Sequence, residues 1–207
     1  MLGGEVTATI GPDDPGFFNY TSYEFNALRN FRLATSIEIK ASRYVHVLGE
    51  VRFDQGRVLE AYGAYVRIRP WPERRFDIQA GRIPPTFGAM TRSAYGSSNL
   101  LIGQPLAYQY LNSIRADALP ATTDDLLRMR GRGWLSSFPI GSQVAAAGLP
   151  IVNTSRWDTG VAVHGVTGVL DWTGSATAGT LSDPQFHDNN GGRQLASRLV
   201  ARPTPAV

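Results

Sequence analysis

The side chains best suited to catalysis or metal binding are few and scattered in this sequence. The three histidines, His46, His164 and His187, form neither an HxxxH nor an HExxH motif, so they predict no metal site. The absence of cysteine excludes a thiolate zinc site and a disulfide framework. No GxSxG nucleophile motif and no phosphate-binding glycine loop occurs. The sequence therefore predicts no enzyme activity and no cofactor.

Glu38 and Glu50 are the pair of carboxylates with a candidate catalytic geometry. They fall on neighbouring predicted strands, and two carboxylates that face one cavity have the arrangement used for glycoside hydrolysis. The alternative is that the two acids balance the cations Arg32, Lys40 and Arg52 across the strands. We favour the ion-balancing alternative.

Arginine carries almost all of the positive charge. The chain has 20 basic residues, of which only Lys40 is a lysine, and its net charge is +3. Guanidinium groups stay charged at any relevant pH. A GC-rich genome that favours arginine codons and a functional use of arginine are both open interpretations.

Nine charged residues fall in or at the ends of a long stretch with few strand signals, residues 82–132. They are Arg82, Arg92, Arg115, Asp117, Asp124, Asp125, Arg128, Arg130 and Arg132. An arginine excess at a narrow passage would favour anions, because a low-dielectric wall strengthens each fixed charge. The alternative is a solvated rim on which the last three arginines pair with Asp124 and Asp125. Within the stretch, Thr122 to Asp125 has capping-box spacing and predicts the start of a helix.

The elements that position these residues are predicted to be β-strands. Residues 31–40 alternate throughout, with Ile37 and Ile39 on one face and Glu38 and Lys40 on the other, which a helix would scatter. Strands are predicted at 5–10, 31–40, 44–53, 62–69, 76–81, 133–140, 157–164, 166–181 and 195–202. Short links join several neighbours, so the predicted fold class is all-β and antiparallel.

Two environments suit strands with one apolar and one charged face: a half-solvated soluble sheet, or a barrel with lipid outside and water inside. Runs of about ten residues match a tilted transmembrane strand, whereas soluble strands average five or six. Aromatic residues at or near strand ends also suit a membrane interface. These are Tyr44, Tyr62, Tyr65, Trp71, Phe76, Trp134, Trp157 and Trp172. The alternative is a soluble β-sandwich that binds carbohydrate on Trp157 and Trp172.

The connections between predicted strands alternate in length. Residues 41–43 and 70–75 are short links, whereas 54–61 and 82–132 are longer. Transmembrane barrels have short turns on the periplasmic side and longer loops outside. The order therefore favours a barrel with its two short turns in the periplasm.

The segment Gly81-Arg82-Ile-Pro-Pro-Thr-Phe-Gly88 follows a predicted strand directly. It resembles the Gly-Arg, proline, Phe-Gly element with which many bacterial porins leave a strand and enter the loop that folds into the pore. The fragments 16–20 and 67–71 are also similar to outer-membrane porin-type sequences. The resemblance implies an antiparallel transmembrane β-barrel in the outer membrane of a Gram-negative bacterium, with passive diffusion of small polar or anionic solutes through it.

The same resemblance implies roles for the charged residues. Residues 82–132 would form a constriction loop folded into the lumen, and the wall residues facing water would be Arg32, Glu38, Lys40, Glu50, Arg52 and Arg67. The implied partners are outer-membrane lipid and the solutes. Homo-oligomers are compatible with such a barrel, and no nucleic-acid partner is expected.

The two ends of the chain lead to an expectation about completeness. The start, MLGGEVTATI, has no signal-peptide pattern. The last predicted strand begins shortly before Val207. We therefore expect residues 1–207 to form a single, incomplete barrel domain.

Overall fold

The structure is a computed structural model that describes residues 1–9, 30–54, 59–88, 110–112, 114–129, 137–153, 157–188 and 191–202. The chain divides into two compact units. The first consists of residues 1–7, 31–98 and 154–207, and the second of residues 8–30 and 99–153.

The described elements are ten strands and one helix. In chain order they are β1 (Leu2–Thr9), β2 (Asn30–Lys40), β3 (Val45–Asp54), β4 (Glu60–Ile68), β5 (Phe76–Ile83), β6 (Ala118–Leu119), α1 (Thr123–Met129), β7 (Ile140–Gly141), β8 (Asp158–Thr167), β9 (Leu170–Thr177) and β10 (Gln194–Ala201). The predicted all-β class is confirmed.

The first unit is built on an eight-stranded antiparallel sheet in the order β1-β2-β3-β4-β5-β8-β9-β10. Each strand pairs with its neighbour along the chain, except that β5 pairs with β8. The strands β1 and β10 each have a neighbour on one side only. The sheet is therefore open, and its closure into a barrel stays a prediction.

The predicted alternation of short and long connections is only partly found, because the β3–β4 connection at 55–59 is shorter than the β4–β5 turn at 69–75. Residues 41–44, 69–75 and 168–169 are short turns at one end of the sheet. At the other end, the connection between β3 and β4 spans residues 55–59, and the connection between β5 and β8 spans residues 84–157. The short turn between β8 and β9 contains Gly168 at φ 57°, a left-handed conformation that glycine adopts without a steric penalty.

The register of the sheet sets which side chains share a face. In β2 and β3, Ser36 lies opposite Glu50 and Ile37 lies opposite Gly49. The pairing of β3 with β4 shifts between Glu50 and Val51, so that Tyr62 is an extra residue in β4. Such a bulge bends the strand and redirects side chains.

The second unit contains a β6–β7 pair and helix α1. The predicted cap is confirmed: the Asp125 amide donates to Thr122 Oγ1 at 3.1 Å, and the Thr122 hydroxyl donates to the Asp125 carboxylate at 2.9 Å. The strand predicted at 133–140 is wrong over 137–139, where the chain is irregular, and 133–136 lie outside the described residues. The pair of Ala118–Leu119 with Ile140–Gly141 was not predicted.

Candidate functional site

The two faces of the eight-stranded sheet have opposite chemistry and opposite burial. We call the face that carries Ile37 and Val161 the apolar face, and both of these side chains are nearly half exposed. Other large apolar residues exposed on this face are Phe31, Leu33, Ile39, Val47, Val51, Ile68, Leu170, Leu195 and Leu199. A soluble sheet would bury such a face against a second layer.

The opposite face, which we call the polar face, buries charged side chains. His46, Glu50, Arg52 and Asp171 are each at most 8% exposed. Buried charges persist only where they are paired and hydrogen-bonded. The hydrogen-bond and ion-pair partners of each charged side chain therefore determine the chemistry available on this face.

The first ionic cluster joins β2, β3 and β4 around Glu38. Glu38 Oε1 lies 2.7 Å from His46 Nδ1 and accepts a hydrogen bond from Arg67 Nη2 at 3.1 Å. His46 lies opposite Lys40 on one side and Arg67 on the other. One carboxylate thus contacts an imidazole of β3 and a guanidinium of β4, and the balancing of Glu38 by Arg32, Lys40 or Arg52 stays a prediction.

A second cluster joins β5, β8 and β9 around His164. Its Nδ1 lies 3.4 Å from Asp77 Oδ2, and its Nε2 lies 3.2 Å from Asp171 Oδ1. Arg202 Nη2 lies 3.7 Å from the other oxygen of Asp171. Both ring nitrogens of His164 therefore face carboxylate oxygens.

A third group combines ions with aromatic rings near the bulge. Arg52 donates from Nε to Glu50, and its guanidinium lies 3.4 Å from the centroid of the Tyr62 ring. Trp157 packs on Tyr62 and Tyr65, with ring centroids 5.1 Å and 6.1 Å apart. Glu50 is thus engaged by a guanidinium, as Glu38 is, so the geometry favours ion balancing over a catalytic carboxylate pair.

A cavity of about 340 Å³ opens on the polar face between β1, β2, β3 and β4. Glu38, Glu50, Tyr65 and Trp157 contribute to its wall. Met1, Leu2 and Leu48 also line the cavity, so its wall combines two carboxylates with a larger apolar and aromatic surface.

Arg82, predicted at the entrance of the constriction loop, lies at the end of β5 in the first unit. Its Nη1 donates to the carbonyl of Ala61 at 2.7 Å and its Nε to the carbonyl of Trp157 at 3.3 Å. Its guanidinium also lies 4.8 Å from the centroid of the Phe186 ring. Arg82 therefore binds β4 to the start of β8, a structural role that sequence reasoning missed.

Asp158 holds the connection that follows β9. Its carboxylate accepts hydrogen bonds from the amides of Gly179 and Gln185 at about 3 Å. The Gly179 amide is itself buried, as is Asp158. The carboxylate thus satisfies backbone donors that the turn leaves unpaired.

Arg115 and Asp117 form an ion pair within the second unit. Arg115 donates from Nε and Nη2 to the two carboxylate oxygens of Asp117 at 2.9 Å and 2.7 Å, and from Nη1 to the carbonyl of Val144 at 2.8 Å. This arrangement resembles the bidentate geometry in which arginine binds carboxylates most strongly. The Arg115 side chain is 1% exposed. Its predicted use as a pore cation stays a prediction, and the contacts give it a structural role.

The remaining predicted constriction residues are placed only in part. Asp124 is exposed and Asp125 is half-buried in the first turn of α1, where acidic residues suit the helix dipole. Arg92, Arg130 and Arg132 lie outside the described residues, as does the side chain of Arg128. No contact of the rim arginines with Asp124 or Asp125 can therefore be assigned.

The predicted wall residues share one face. Glu38, Glu50, Arg52 and Arg67 all have polar-face partners, and Arg32 and Lys40 alternate with the apolar residues of β2. Sequence reasoning missed His46, Asp77, His164 and Asp171 as members of the ionic clusters. The sequence contained the information needed to find them. The alternation of the strands and the hairpin-length links place all four residues beside oppositely charged or polar neighbours.

Comparison with known proteins finds no matching family model and no similar curated protein or solved structure. Among the described residues, no cluster of histidine and carboxylate side chains is arranged to hold a metal ion. Where the structure describes the chain, it contains no helix long and apolar enough to cross a membrane.

Proposed function

We propose that this chain forms the wall of a porin-type outer-membrane β-barrel that passes small polar or anionic solutes by diffusion. The observation that carries the proposal is the inversion of the two sheet faces: aliphatic side chains are exposed while charged side chains are buried. Lipid outside and water inside is the environment in which that arrangement is stable.

The apolar face would be unfavourable in water. Burying a Val, Leu, Ile or Phe side chain contributes roughly 1.5–3 kcal/mol relative to leaving it in water. Eleven such residues on this face are at least 38% exposed. Exposed apolar patches larger than a few hundred Å² mark protein or membrane contacts. Contact with hydrocarbon removes this penalty along the whole sheet.

The dimensions of the sheet support the same environment. Strands β2, β3, β4 and β8 have 11, 10, 9 and 10 residues, and the other four strands of the sheet have 8 each. A transmembrane β-strand needs about 9–11 residues. The short turns at 41–44, 69–75 and 168–169 all lie at one end, as periplasmic turns do.

Closure of the sheet belongs to this proposal. Hydrocarbon offers no partner for the free backbone groups at the edges of β1 and β10, so a sheet in a bilayer must close. The polar face then lines the lumen, and its ionic clusters become the charged wall of a channel. The solute class follows from this lining, which is charged and aromatic rather than purely apolar.

The soluble carbohydrate-binding alternative needs accessible tryptophans. Trp157 is 8% exposed and its ring packs on Gly63, Tyr62 and Tyr65. Trp172 lies against Gly165 and 6.2 Å from the centroid of Phe76. These contacts occupy the ring surfaces that stacking on a sugar would use, so no observation favours this alternative.

The proposal is tested by membrane fractionation and conductance. Full-length protein should fractionate with outer membranes, require detergent for purification, and produce stepwise, ohmic conductance in planar bilayers. Heat-denatured protein in the same detergent is the control and should give no steps. A monodisperse protein that melts cooperatively without detergent would contradict the proposal and favour a soluble sandwich.

A further inference from the structure

The two histidine clusters of the polar face lie at the same end of the sheet. Glu38 and His46 flank the turn at 41–44. His164 and Asp171 flank the turn at 168–169, and Asp77 follows the turn at 69–75. All three turns belong to the short-turn end. The clusters therefore lie at one level of the wall, although they are far apart in sequence.

Cross-strand register joins the clusters into one band, which we call the histidine belt. Its members are Glu38, Lys40, His46, Arg67, Asp77, His164, Asp171, Arg198 and Arg202. Between its two halves, Arg67 lies opposite Gln79, whose amide donates to Asp77 at 2.8 Å. Beyond His164, Thr173 lies opposite both His164 and Arg198.

The charged groups facing each histidine come from the neighbouring strands. His46 faces Glu38 and Lys40 of β2 and Arg67 of β4. His164 faces Asp77 of β5 and Asp171 of β9, and the latter is paired with Arg202. Arg69 and Arg75 flank the belt in the turn between β4 and β5. Glu38 and Asp171 are thus paired with the fixed cations Arg67 and Arg202, whereas Asp77 contacts His164 and the amide of Gln79.

Histidine is the side chain whose charge ordinarily changes between pH 5 and 8. Protonation of His46 and His164 would add up to two positive charges to a wall in which Glu38 and Asp171 are already paired with arginines. The imidazolium of His164 would keep both of its contacts, because a carboxylate oxygen faces each of its ring nitrogens.

We propose that the histidine belt sets the charge selectivity of the pore, and that protonation of His46 and His164 shifts this selectivity toward anions. The proposal rests on the channel function proposed above. It assigns selectivity to the sheet wall at the short-turn end rather than to residues 82–132 alone. The added charge acts on ions in the lumen through the low-dielectric wall, which concentrates the field in the water-filled space.

The test is the reversal potential of the full-length protein in planar bilayers under a KCl gradient at pH 7.5 and pH 5.5. The chloride-to-potassium permeability ratio of the unmodified protein should rise at least twofold at the lower pH, about the effect of one unit charge 8 Å from an ion in water. The His46→Gln/His164→Gln variant should lose most of this rise. His187→Gln is the matched control and should keep it, because His187 is exposed after β9 and outside the belt.

The outcomes separate this proposal from the channel function. Conductance with a pH-independent reversal potential would contradict the proposed role of the histidine belt, but it would remain consistent with the channel function. An unchanged pH response in the double variant would also overturn it. Absence of any conductance from correctly folded protein would overturn both. The pH dependence of the reversal potential is measured on the unmodified protein, so this part of the test does not depend on the folding of the variants.

Discussion

Trp157 shows how single residues fix the polar face. Gly63 leaves the space that the indole occupies, since a Cβ at this position would overlap the ring. Tyr62, the extra residue of the bulge, packs on the same ring and under the guanidinium of Arg52. A glycine, a bulge and a buried indole therefore hold β4 against the start of β8.

Gly63→Ala should destabilise the folded state by about 1–3 kcal/mol, the usual effect of overpacking a filled site. Gly174→Ala is the matched control: Gly174 lies within β9, and no atom lies within 4 Å of a Cβ built on it. Denaturant unfolding in detergent micelles, followed by tryptophan fluorescence, measures both. Equal midpoints for the two variants would contradict the close packing of Trp157.

The Arg115–Asp117 pair predicts a pH dependence in the second unit. The hydrogen bonds from Arg115 hold the pKa of the Asp117 carboxyl below its usual value. A carboxyl with a depressed folded-state pKa contributes stability above its unfolded-state pKa, and this contribution is lost as the pH falls through the folded-state pKa.

Local protection of residues 114–118 should therefore decrease in acid, as measured by amide hydrogen exchange corrected for intrinsic rates. Asp117→Asn should lower the protection at neutral pH and remove most of its acid dependence. Asp124→Asn, which changes an exposed carboxylate in α1, is the control and should behave as the unmodified chain. An acid dependence that persists in Asp117→Asn would assign it to another group.

At the scale of elements, strand β2 shows most clearly that one face of the sheet is apolar and exposed while the other is ionic. Ile37 and Ile39 are about half exposed on the apolar face, while Glu38 between them is held by His46 and Arg67 on the polar face. Because side chains alternate with a period of two, the strand cannot exchange these environments without losing its register.

Ile37→Arg should destabilise the folded protein in lipid by roughly 2–4 kcal/mol, since a charge would lie near the bilayer midplane. Ile68→Arg, on the same face but at the end of β4, is the matched control and should cost about 0–1 kcal/mol, as expected near the interface. Unfolding titrations in vesicles compare the two. Near-zero effects at both sites would instead indicate that the face contacts water, where surface substitutions stay within about 0.5 kcal/mol.

Alternation made the long strands predictable. The boundaries predicted for β2 and β3 agree with the structure to within one residue, because each run alternates from end to end. The predicted strand 166–181 is shorter, Leu170–Thr177, since the turn at 168–169 and the bends after Thr177 interrupt it. Two-residue strands such as Ala118–Leu119 carry no periodic signal, so the β6–β7 pair could not be foreseen.

The sequence predicted which face of the sheet each site residue lies on, but it did not predict which side chains and carbonyls these residues bind. Alternation placed Glu38, Glu50 and Arg67 on one face of the sheet, and the register of β2, β3 and β4 has them on that face. The structural roles of Arg82 and Arg115 depend on carbonyls at Ala61, Trp157 and Val144, which are distant in sequence. No local pattern encodes such contacts, so both residues were predicted from charge alone.

At the scale of the whole molecule, the central claim concerns which solvent meets each face of the sheet. An open eight-stranded sheet with one apolar and one ionic face satisfies both faces if lipid covers the first and water the second. The exposed apolar residues of this face extend from Phe31 in β2 to Leu199 in β10, so one continuous lipid contact accounts for them.

Site-directed spin labelling along β2 tests this claim most directly. The chain has no cysteine, so single cysteines at positions 33–39 can be labelled without altering the background. In reconstituted vesicles, we expect accessibility to apolar oxygen to peak at 33, 35, 37 and 39, and accessibility to a water-soluble nickel reagent to peak at 36 and 38, since Ala34 on the same face is buried. Nickel accessibility that is high at 33, 35, 37 and 39, in protein that folds without lipid, would contradict the membrane-barrel account.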